Sequence, residues 1–236
     1  MWPFLFLLAA GAGIAYLVKR DLESSSGDVR LCVTEVKPVP APPATIGDWT
    51  GWVWPVPDEN GRTARITQEY KPGHDPKPGE ASGEHANHLG VDIMYGKLAT
   101  DPPGKVKHDA STGSIAPPGT KVVATGPGKI WLVSHSDFYG TGVTVDHGTA
   151  NPTGTGMVTF YQHLGKLAKD WHKGDPVAAG EILGDMGYAP GDPEGLRHLH
   201  FEIWFPRTGV PGDEWRINPE PYMRRWKRIE LPPMVA

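Results

Sequence analysis

The chain has 236 residues, of which 39% are hydrophobic and 21% charged, and its formal net charge is -4. This length suits one large domain or two small ones. A negative net charge without a dense basic stripe argues against a nucleic-acid partner. The single cysteine, Cys32, excludes an internal disulfide and a cysteine-rich zinc site. The high glycine and proline content favours short strands joined by turns over long helices.

The chain opens with an apolar run from Trp2 to Val18, followed by Lys19 and Arg20. As a helix, this run would span roughly 26 Å, slightly less than the ~30 Å hydrocarbon core of a membrane. We predict a single hydrophobic helix, with residues 1–20 forming an N-terminal membrane anchor. The alternative is a cleaved signal peptide, but the run lacks the basic start and the small-residue cleavage site of such peptides.

Residues 21–48 are rich in serine and then in proline, which is typical of a semi-extended linker. The folded domain is predicted to cover residues 49–236. Within it, short strand patterns alternate with glycine turns, and residues 71–87 form a polar loop. Residues 94–118 are predicted to be a long inserted loop, because turn-forming residues are frequent there.

Three stretches carry histidine. In the first, His88 and Asp92 are four residues apart and fall on one side of the chain, with Gly90 leaving room between them. An imidazole and a carboxylate at this spacing suit a zinc ion. Taken alone, the pair is better explained as a surface histidine with an ordinary aspartate at a strand end. His85, three residues earlier, is a rival for His88.

The second and third stretches are predicted strands. Residues 158–164 form a strand that ends in His163, which by itself would be explained as a structural histidine. Residues 197–204 alternate with a period of two, so that His198, His200 and Glu202 share one face of a strand. Neighbouring side chains on such a face can approach one metal ion or one substrate.

In order along the chain, the segments HLGVDI, YQHL and HLHFEIW resemble the lysostaphin-type (LytM-like) zinc metalloendopeptidases, which cut peptide cross-links of bacterial peptidoglycan. The glycine-rich segments GTKVVATGPGKI, GTGVTVDHG and KGDPVAAGEILGDMG and the later NPEPYM belong to the same resemblance, which extends from about Trp52 to Met223. The resemblance implies a mainly β fold, a compact antiparallel domain with a groove walled by loops.

The resemblance also implies roles for individual residues. His88, Asp92 and His200 correspond to three Zn²⁺ ligands, and His163 and His198 correspond to two active-site histidines that do not bind the metal. Three protein ligands leave a fourth position open for water, as in catalytic zinc sites. Glu202 is a candidate to orient one of the imidazoles from behind. We expect His147 and Tyr161 to have structural roles.

The function implied is a zinc endopeptidase acting on peptidoglycan, either a membrane-anchored enzyme of wall remodelling or an entry lysin of a virus particle. The alternative is a non-catalytic relative that binds the wall or activates an amidase. The catalytic domain is expected to face peptidoglycan, from a cell envelope or a viral membrane. Lys19 and Arg20 would instead favour the cytoplasmic side, so the orientation stays open.

Overall fold

The computed structural model describes residues 6–10, 14–20, 31–35, 48–72, 88–98, 113–149, 156–190, 195–206 and 214–231. The chain divides into two compact units, residues 1–41 and residues 42–236. The first unit contains the strands β1 (Phe6–Ala10), β2 (Ile14–Arg20) and β3 (Leu31–Glu35). These strands form an antiparallel sheet in the order β1-β2-β3.

The predicted N-terminal hydrophobic helix is not confirmed. The apolar run instead contributes β1 and β2, which pair from Phe6 with Val18 to Ala10 with Ile14. Gly11 and Gly13 interrupt the run, and a glycine inside a helix costs about 1 kcal/mol relative to alanine. Among the described residues, no helix combines the length and hydrophobicity needed to cross a membrane.

The second unit consists mainly of strands. In chain order they are β4 (Ala64–Gln68), β5 (Val91–Gly96), β6 (Ser114–Ile115), β7 (Lys121–Val123), β8 (Gly128–Ser136), β9 (Gly140–Asp146), β10 (Val158–Leu167), β11 (Pro176–Val177), β12 (Ile182–Met186), β13 (Leu199–Pro206) and β14 (Glu214–Ile217), followed by the short helix α1 (Glu220–Met223).

The strands of the second unit form one antiparallel sheet in the order β11-β8-β9-β10-β13-β5-β4. Beside this path, β12 pairs with β10 and β7, β14 pairs with β13, and β6 pairs with β5. The prediction of a compact, mainly antiparallel β domain is therefore confirmed. Loops expected to wall a groove fall partly in residues 73–87 and 99–112, which lie outside the described residues.

Strand β13 shows how the sequence produces this sheet. Its apolar residues Leu199, Phe201 and Ile203 are completely buried in the core. Burying one such side chain contributes about 1.5–3 kcal/mol. Phe201 lies opposite Tyr161 of β10, with ring centroids 5.3 Å apart. Because strand side chains alternate, this packing commits His200 to the opposite face of the sheet.

The prediction that residues 94–118 form a loop is wrong at both ends of this range, where the structure has strands. Residues 94–96 complete β5, and Ser114–Ile115 form β6, in which Ile115 pairs with Tyr95. Tyr95 is 1% exposed, and its hydroxyl donates a hydrogen bond to the carbonyl of Pro57 at 2.6 Å. The strand continues past Ile93 because Met94 and Tyr95 are both buried.

Candidate metal centre

Two neighbouring strands bring the first predicted ligands together. Asp92 on β5 and His200 on β13 are directly opposed in the antiparallel ladder. Opposed residues point to the same face of a sheet with their Cβ atoms about 4.5–5.5 Å apart. His88 precedes β5 and is held beside it by an isolated bridge to Lys71. The sheet register therefore places the three side chains at one point.

Gly90 allows this approach. A Cβ atom at this position would lie 2.5 Å from the carbonyl oxygen of Phe201 and 2.8 Å from Nε2 of His200. Those separations are shorter than van der Waals contact, so any larger residue would push the His88–Asp92 segment away from β13. The glycine is needed for a close approach between two backbones.

The three ligand atoms form a nearly equilateral triangle. Nε2 of His88 lies 3.0 Å from Oδ1 of Asp92 and 3.0 Å from Nδ1 of His200, and the last two atoms are 3.1 Å apart. Ligand atoms at about 2.0–2.1 Å from a tetrahedral zinc lie about 3.3 Å from one another. Among the described residues, His88, Asp92 and His200 are the one group of three or more His, Cys, Asp or Glu side chains that is close enough together to hold a metal ion.

The hydrogen bonds behind the triangle determine which nitrogen of each imidazole faces it. His88 donates its Nδ1 hydrogen to the carbonyl of Glu69 at 2.8 Å, and His200 donates its Nε2 hydrogen to Oε1 of Glu202 at 2.9 Å. In the neutral tautomers, the remaining nitrogens direct lone pairs at Oδ1 of Asp92. Three lone pairs that meet in this way fit a three-ligand zinc site.

The ligands also shift each other's pKa values. Burial opposes charge on His200, but its hydrogen bonds to Asp92 and Glu202 outweigh burial and raise its pKa to about 10. Burial alone would raise the pKa of Asp92, but the charge of His198 and the hydrogen bonds from His200 and His88 hold it well below its usual value. A metal ion would have to displace the His200 proton to bind.

His163 and His198 lie beside the triangle. Their ring centroids are 4.6 Å apart, and the ring of His163 is 6.0 Å from that of His200. Nδ1 of His163 is bonded to the carbonyl of Tyr139 at 2.8 Å, and Nδ1 of His198 to that of Leu196 at 3.1 Å. Burial, followed by the charge of His198, lowers the pKa of His163 to about 3, so its ring is neutral at pH 7.

The backbone of His163 departs from the strand predicted for it. Its φ angle is 64°, and the pairing of β10 with β9 shifts register between Tyr161 and Leu164, on either side of this residue. Strict alternation would place His163 on the core face with Tyr161, and the irregularity turns it to the other face. Histidine is one of the few residue types that is enriched at positive φ.

Gly187 supports this irregularity. Its N–H donates to the carbonyl of His163 at 2.6 Å, and a Cβ atom there would lie 2.7 Å from that same oxygen. Gly187, the last residue of the segment GDMG, is therefore a sequence signal that a close backbone contact occurs here. The sequence does not indicate that the contact is with His163.

Glu202 lies behind His200, on the side away from Asp92. It is 4% exposed and accepts hydrogen bonds from His200 and from the indole Nε1 of Trp204, and Arg216 Nε lies 3.4 Å from Oε2. Burial would raise the pKa of Glu202, but its bond to His200 and the charges of His200 and Arg216 lower it. Alternation along β13 places Trp204 on the face of Glu202 and could have indicated this contact, whereas nothing in the sequence pattern indicates Arg216, which lies on β14.

The other histidines and Tyr161 lie elsewhere. His147 is buried against Trp52 and bonded to Thr159 at 2.8 Å, and burial lowers its pKa to about 4. Tyr161 is completely buried and its hydroxyl accepts the N–H of Thr125 at 2.8 Å. These contacts stabilise the core. His85, the rival ligand, lies outside the described residues.

One family model matches the part of the chain that contains three of the five predicted site histidine and aspartate residues. The model of peptidase family M23 matches residues 109–219, a range that contains His163, His198 and His200. The matched range is 111 of the 236 residues, just under half of the chain, and over this range the chain is similar to peptidase family M23. The M23 match begins after His88 and Asp92, so the sheet register and the distances alone connect these two residues to the centre.

The individual proteins similar to this chain are distant from it in sequence. The chain is 29% identical over 76 residues to the L-Ala--D-Glu endopeptidase of Bacillus subtilis (strain 168), a match that covers 30% of this chain and 22% of that protein. The catalytic domain of lysostaphin from Staphylococcus simulans is 22% identical, with a TM-score of 0.42, over 70% of this chain and 94% of that one. A chain of the SpoIIQ–SpoIIIAH pore-forming complex is 17% identical, with a TM-score of 0.48. The match covers 77% of this chain and 94% of that one.

Proposed function

We propose that this protein is a zinc-dependent endopeptidase that cleaves peptide cross-links of bacterial peptidoglycan. The observation that carries the proposal is the triangle of lone pairs from His88, Asp92 and His200, next to the rings of His163 and His198. The match to peptidase family M23 supports the peptidase chemistry, and the relative from Bacillus subtilis is an endopeptidase by name.

In this proposal, one set of residues binds the metal and a second set transfers protons. His88, Asp92 and His200 would hold the zinc, with Glu202 keeping His200 in the correct tautomer. When bound, the zinc supplies a Lewis acid that polarises the scissile carbonyl and lowers the pKa of a water molecule. A single carboxylate among the ligands leaves a net positive charge, which preserves this acidity.

His163 and His198 are suited to move protons. Each ring has its Nδ1 fixed by a backbone carbonyl, so Nε2 is the atom available to substrate. A proton taken up at Nε2 leaves the Nδ1 bond intact, and either ring can therefore accept and return a proton without turning. Groups positioned in this way typically accelerate a reaction by about 10²–10⁴-fold.

The membrane tether remains part of the proposal. Its support is the composition of residues 1–20, followed by the serine- and proline-rich residues 21–48. The full chain should partition with membranes, whereas a chain that begins at Trp49 should stay in the aqueous fraction. Mature protein that begins after residue 20 would point to a cleaved signal peptide instead.

The catalytic proposal is tested by incubating the purified protein with purified peptidoglycan and measuring newly released amino groups. We expect about one zinc per chain, and we expect hydrolysis to stop when a chelator removes the metal and to return when zinc is restored. Protein that binds zinc and peptidoglycan but releases no amino groups would support the wall-binding or amidase-activating alternative.

A further inference from the structure

Exposed aromatic side chains are concentrated beside the candidate centre. Among the residues that the structure describes, the large hydrophobic side chains that are exposed are Leu132, Phe138, Tyr139 and Tyr188, at 53%, 53%, 45% and 49%. The three aromatic residues all lie on two turns that are hydrogen-bonded to His163. An exposed apolar patch next to a functional site marks a surface that contacts a ligand or partner.

The first turn joins β8 to β9 and is internally fixed. The hydroxyl oxygen of Ser136 accepts the N–H groups of Phe138 and Tyr139 at 3.2 and 3.1 Å. The rings of Phe138 and Tyr139 meet edge to face, with centroids 4.8 Å apart. The carbonyl of Tyr139 accepts the Nδ1 hydrogen of His163 at 2.8 Å, so this turn keeps a constant position relative to the centre.

The second turn follows β12 and carries Tyr188. The preceding residue, Gly187, donates its N–H to the carbonyl of His163 and accepts the N–H of His198 at 3.3 Å. The two turns also touch each other, because a Cβ atom on Gly140 would lie 3.3 Å from the carbonyl oxygen of Tyr188. The three aromatic residues thus form one rim, here called the aromatic rim, in fixed register with His163 and His198.

The chemistry of the aromatic rim favours a sugar ring. An aromatic face carries negative charge density, and the C–H groups on one side of a hexose ring present a flat apolar surface with a slight positive charge. The hydroxyls of Tyr139 and Tyr188 and the exposed carboxylate of Asp137 can pair with sugar hydroxyl and amide groups. The first turn carries Asp137 and no lysine or arginine, and Arg197 forms a bridge to Tyr188 of the second turn. One acidic and one basic residue give no net positive charge to attract an anionic lipid surface.

We propose that Phe138, Tyr139 and Tyr188 bind an N-acetylated hexosamine ring of the glycan strand that carries the peptide being cut. This proposal rests on the proposed function and adds a second contact to it. The metal and the two histidines act on the peptide, and the aromatic rim holds the polymer from which the peptide extends. The protein then selects peptides that are still attached to glycan.

The experiment compares two substrates and three forms of the full chain: the unaltered protein, the double variant Phe138→Ala/Tyr188→Ala, and the control Leu132→Ala. Leu132 is as exposed as Phe138 but lies outside the aromatic rim. One substrate is intact peptidoglycan, and the other is the same cross-linked peptides after an amidase has removed the glycan.

We expect kcat/KM of the double variant on intact peptidoglycan to fall about tenfold or more, because two aromatic contacts to the sugar ring are lost. Its kcat/KM on free peptides and its zinc content should equal those of the unaltered protein. The Leu132→Ala protein should be unchanged on both substrates. An equal loss on both substrates, or no loss on either, would overturn the proposal.

A binding measurement separates this proposal from the proposed function. Glycan strands stripped of peptide should sediment the unaltered protein and the Leu132→Ala control but leave the double variant in solution, whether or not the protein hydrolyses peptides. If the double variant instead binds glycan normally and loses binding to phosphatidylglycerol vesicles, the aromatic rim contacts membrane and the glycan proposal is wrong.

Discussion

Glu202 accepts the Nε2 hydrogen of His200 at 2.9 Å, and this bond turns Nδ1 of His200 towards Oδ1 of Asp92. The carboxylate is buried, and its second oxygen is occupied by Trp204. The orientation of one proposed ligand is therefore set by a residue that does not touch the other two.

The first prediction concerns this bond. Glu202→Ala should weaken zinc binding by about 10–100-fold, because His200 loses the acceptor that fixes its tautomer. Glu202→Gln keeps an acceptor oxygen but not the charge, and it should lose less. Competition with a chromophoric chelator gives both affinities. Zinc affinity equal to that of the unaltered protein in Glu202→Ala would show that Glu202 does not orient the ligand.

The second prediction separates metal ligands from proton-transfer residues. His200→Ala should lose most of its zinc, since one of three ligands is gone. His198→Ala and His163→Ala should keep zinc but lose about 10²–10⁴-fold in hydrolysis of peptidoglycan. Metal analysis and amine release are measured on the same preparations.

The control for this series is His172→Ala, because the His172 side chain is 70% exposed and pairs only with exposed Asp170 in the described contacts. It should match the unaltered protein in both measurements. Zinc retained by His200→Ala and lost by His198→Ala would mean that the roles of these two residues are interchanged.

The third prediction concerns Gly90. Alanine there would place a Cβ atom 2.5 Å from the Phe201 carbonyl and 2.8 Å from Nε2 of His200. We expect Gly90→Ala to lower stability by about 1–3 kcal/mol, as overpacking does, and to weaken zinc binding because His200 moves. Gly96→Ala is the matched control at the far end of β5, the strand that Gly90 precedes, since a Cβ atom there meets nothing closer than 4.0 Å. Comparable zinc affinity in the two variants would contradict the prediction.

The fourth prediction is a pH dependence of stability due to His147. Burial lowers the pKa of His147 from 6.5 to about 4 in the folded protein. The unfolded chain therefore binds more protons between these values, so the stabilisation is complete above about pH 6.5 and is lost as the pH falls towards 4. Between pH 7 and pH 4.5 this loss should be about 2–3 kcal/mol.

Urea unfolding of the unaltered protein and of His147→Gln at both pH values measures this effect. The variant cannot take up the proton, and it should lose correspondingly less stability on acidification. His172→Gln, an exposed histidine, should follow the unaltered protein. Identical pH dependence in His147→Gln would show that another buried group is responsible.

The sequence predicted those parts of the centre that depend on alternation within one strand. The period of two in residues 197–204 placed His198, His200 and Glu202 on one face, and the core packing of Phe201 agrees with that face. The pairing of His200 with Asp92 was not predictable from either strand alone. It depends on the register between β5 and β13, which long-range packing decides.

The sequence did not predict the turn at His163 or its acceptor. Alternation assigns His163 to the core face, and the observed φ of 64° reverses that assignment. The acceptors Tyr139, Leu196 and Glu69 contribute backbone carbonyls, which every residue has, so no side-chain pattern marks them. Similarly, burial of Met94 and Tyr95 extended β5 into residues whose composition is typical of a loop.

The attachment of the four central side chains has an evolutionary consequence. Asp92 and His200 are anchored by a ladder in the middle of the sheet, whereas His163 and His198 depend on carbonyls of Tyr139 and Leu196 at the protein surface. Insertions or deletions in surface turns are the changes that evolution tolerates most readily. A descendant of this fold could therefore lose hydrolysis through a single altered turn and still bind metal, becoming a binding protein while its core sequence stays intact.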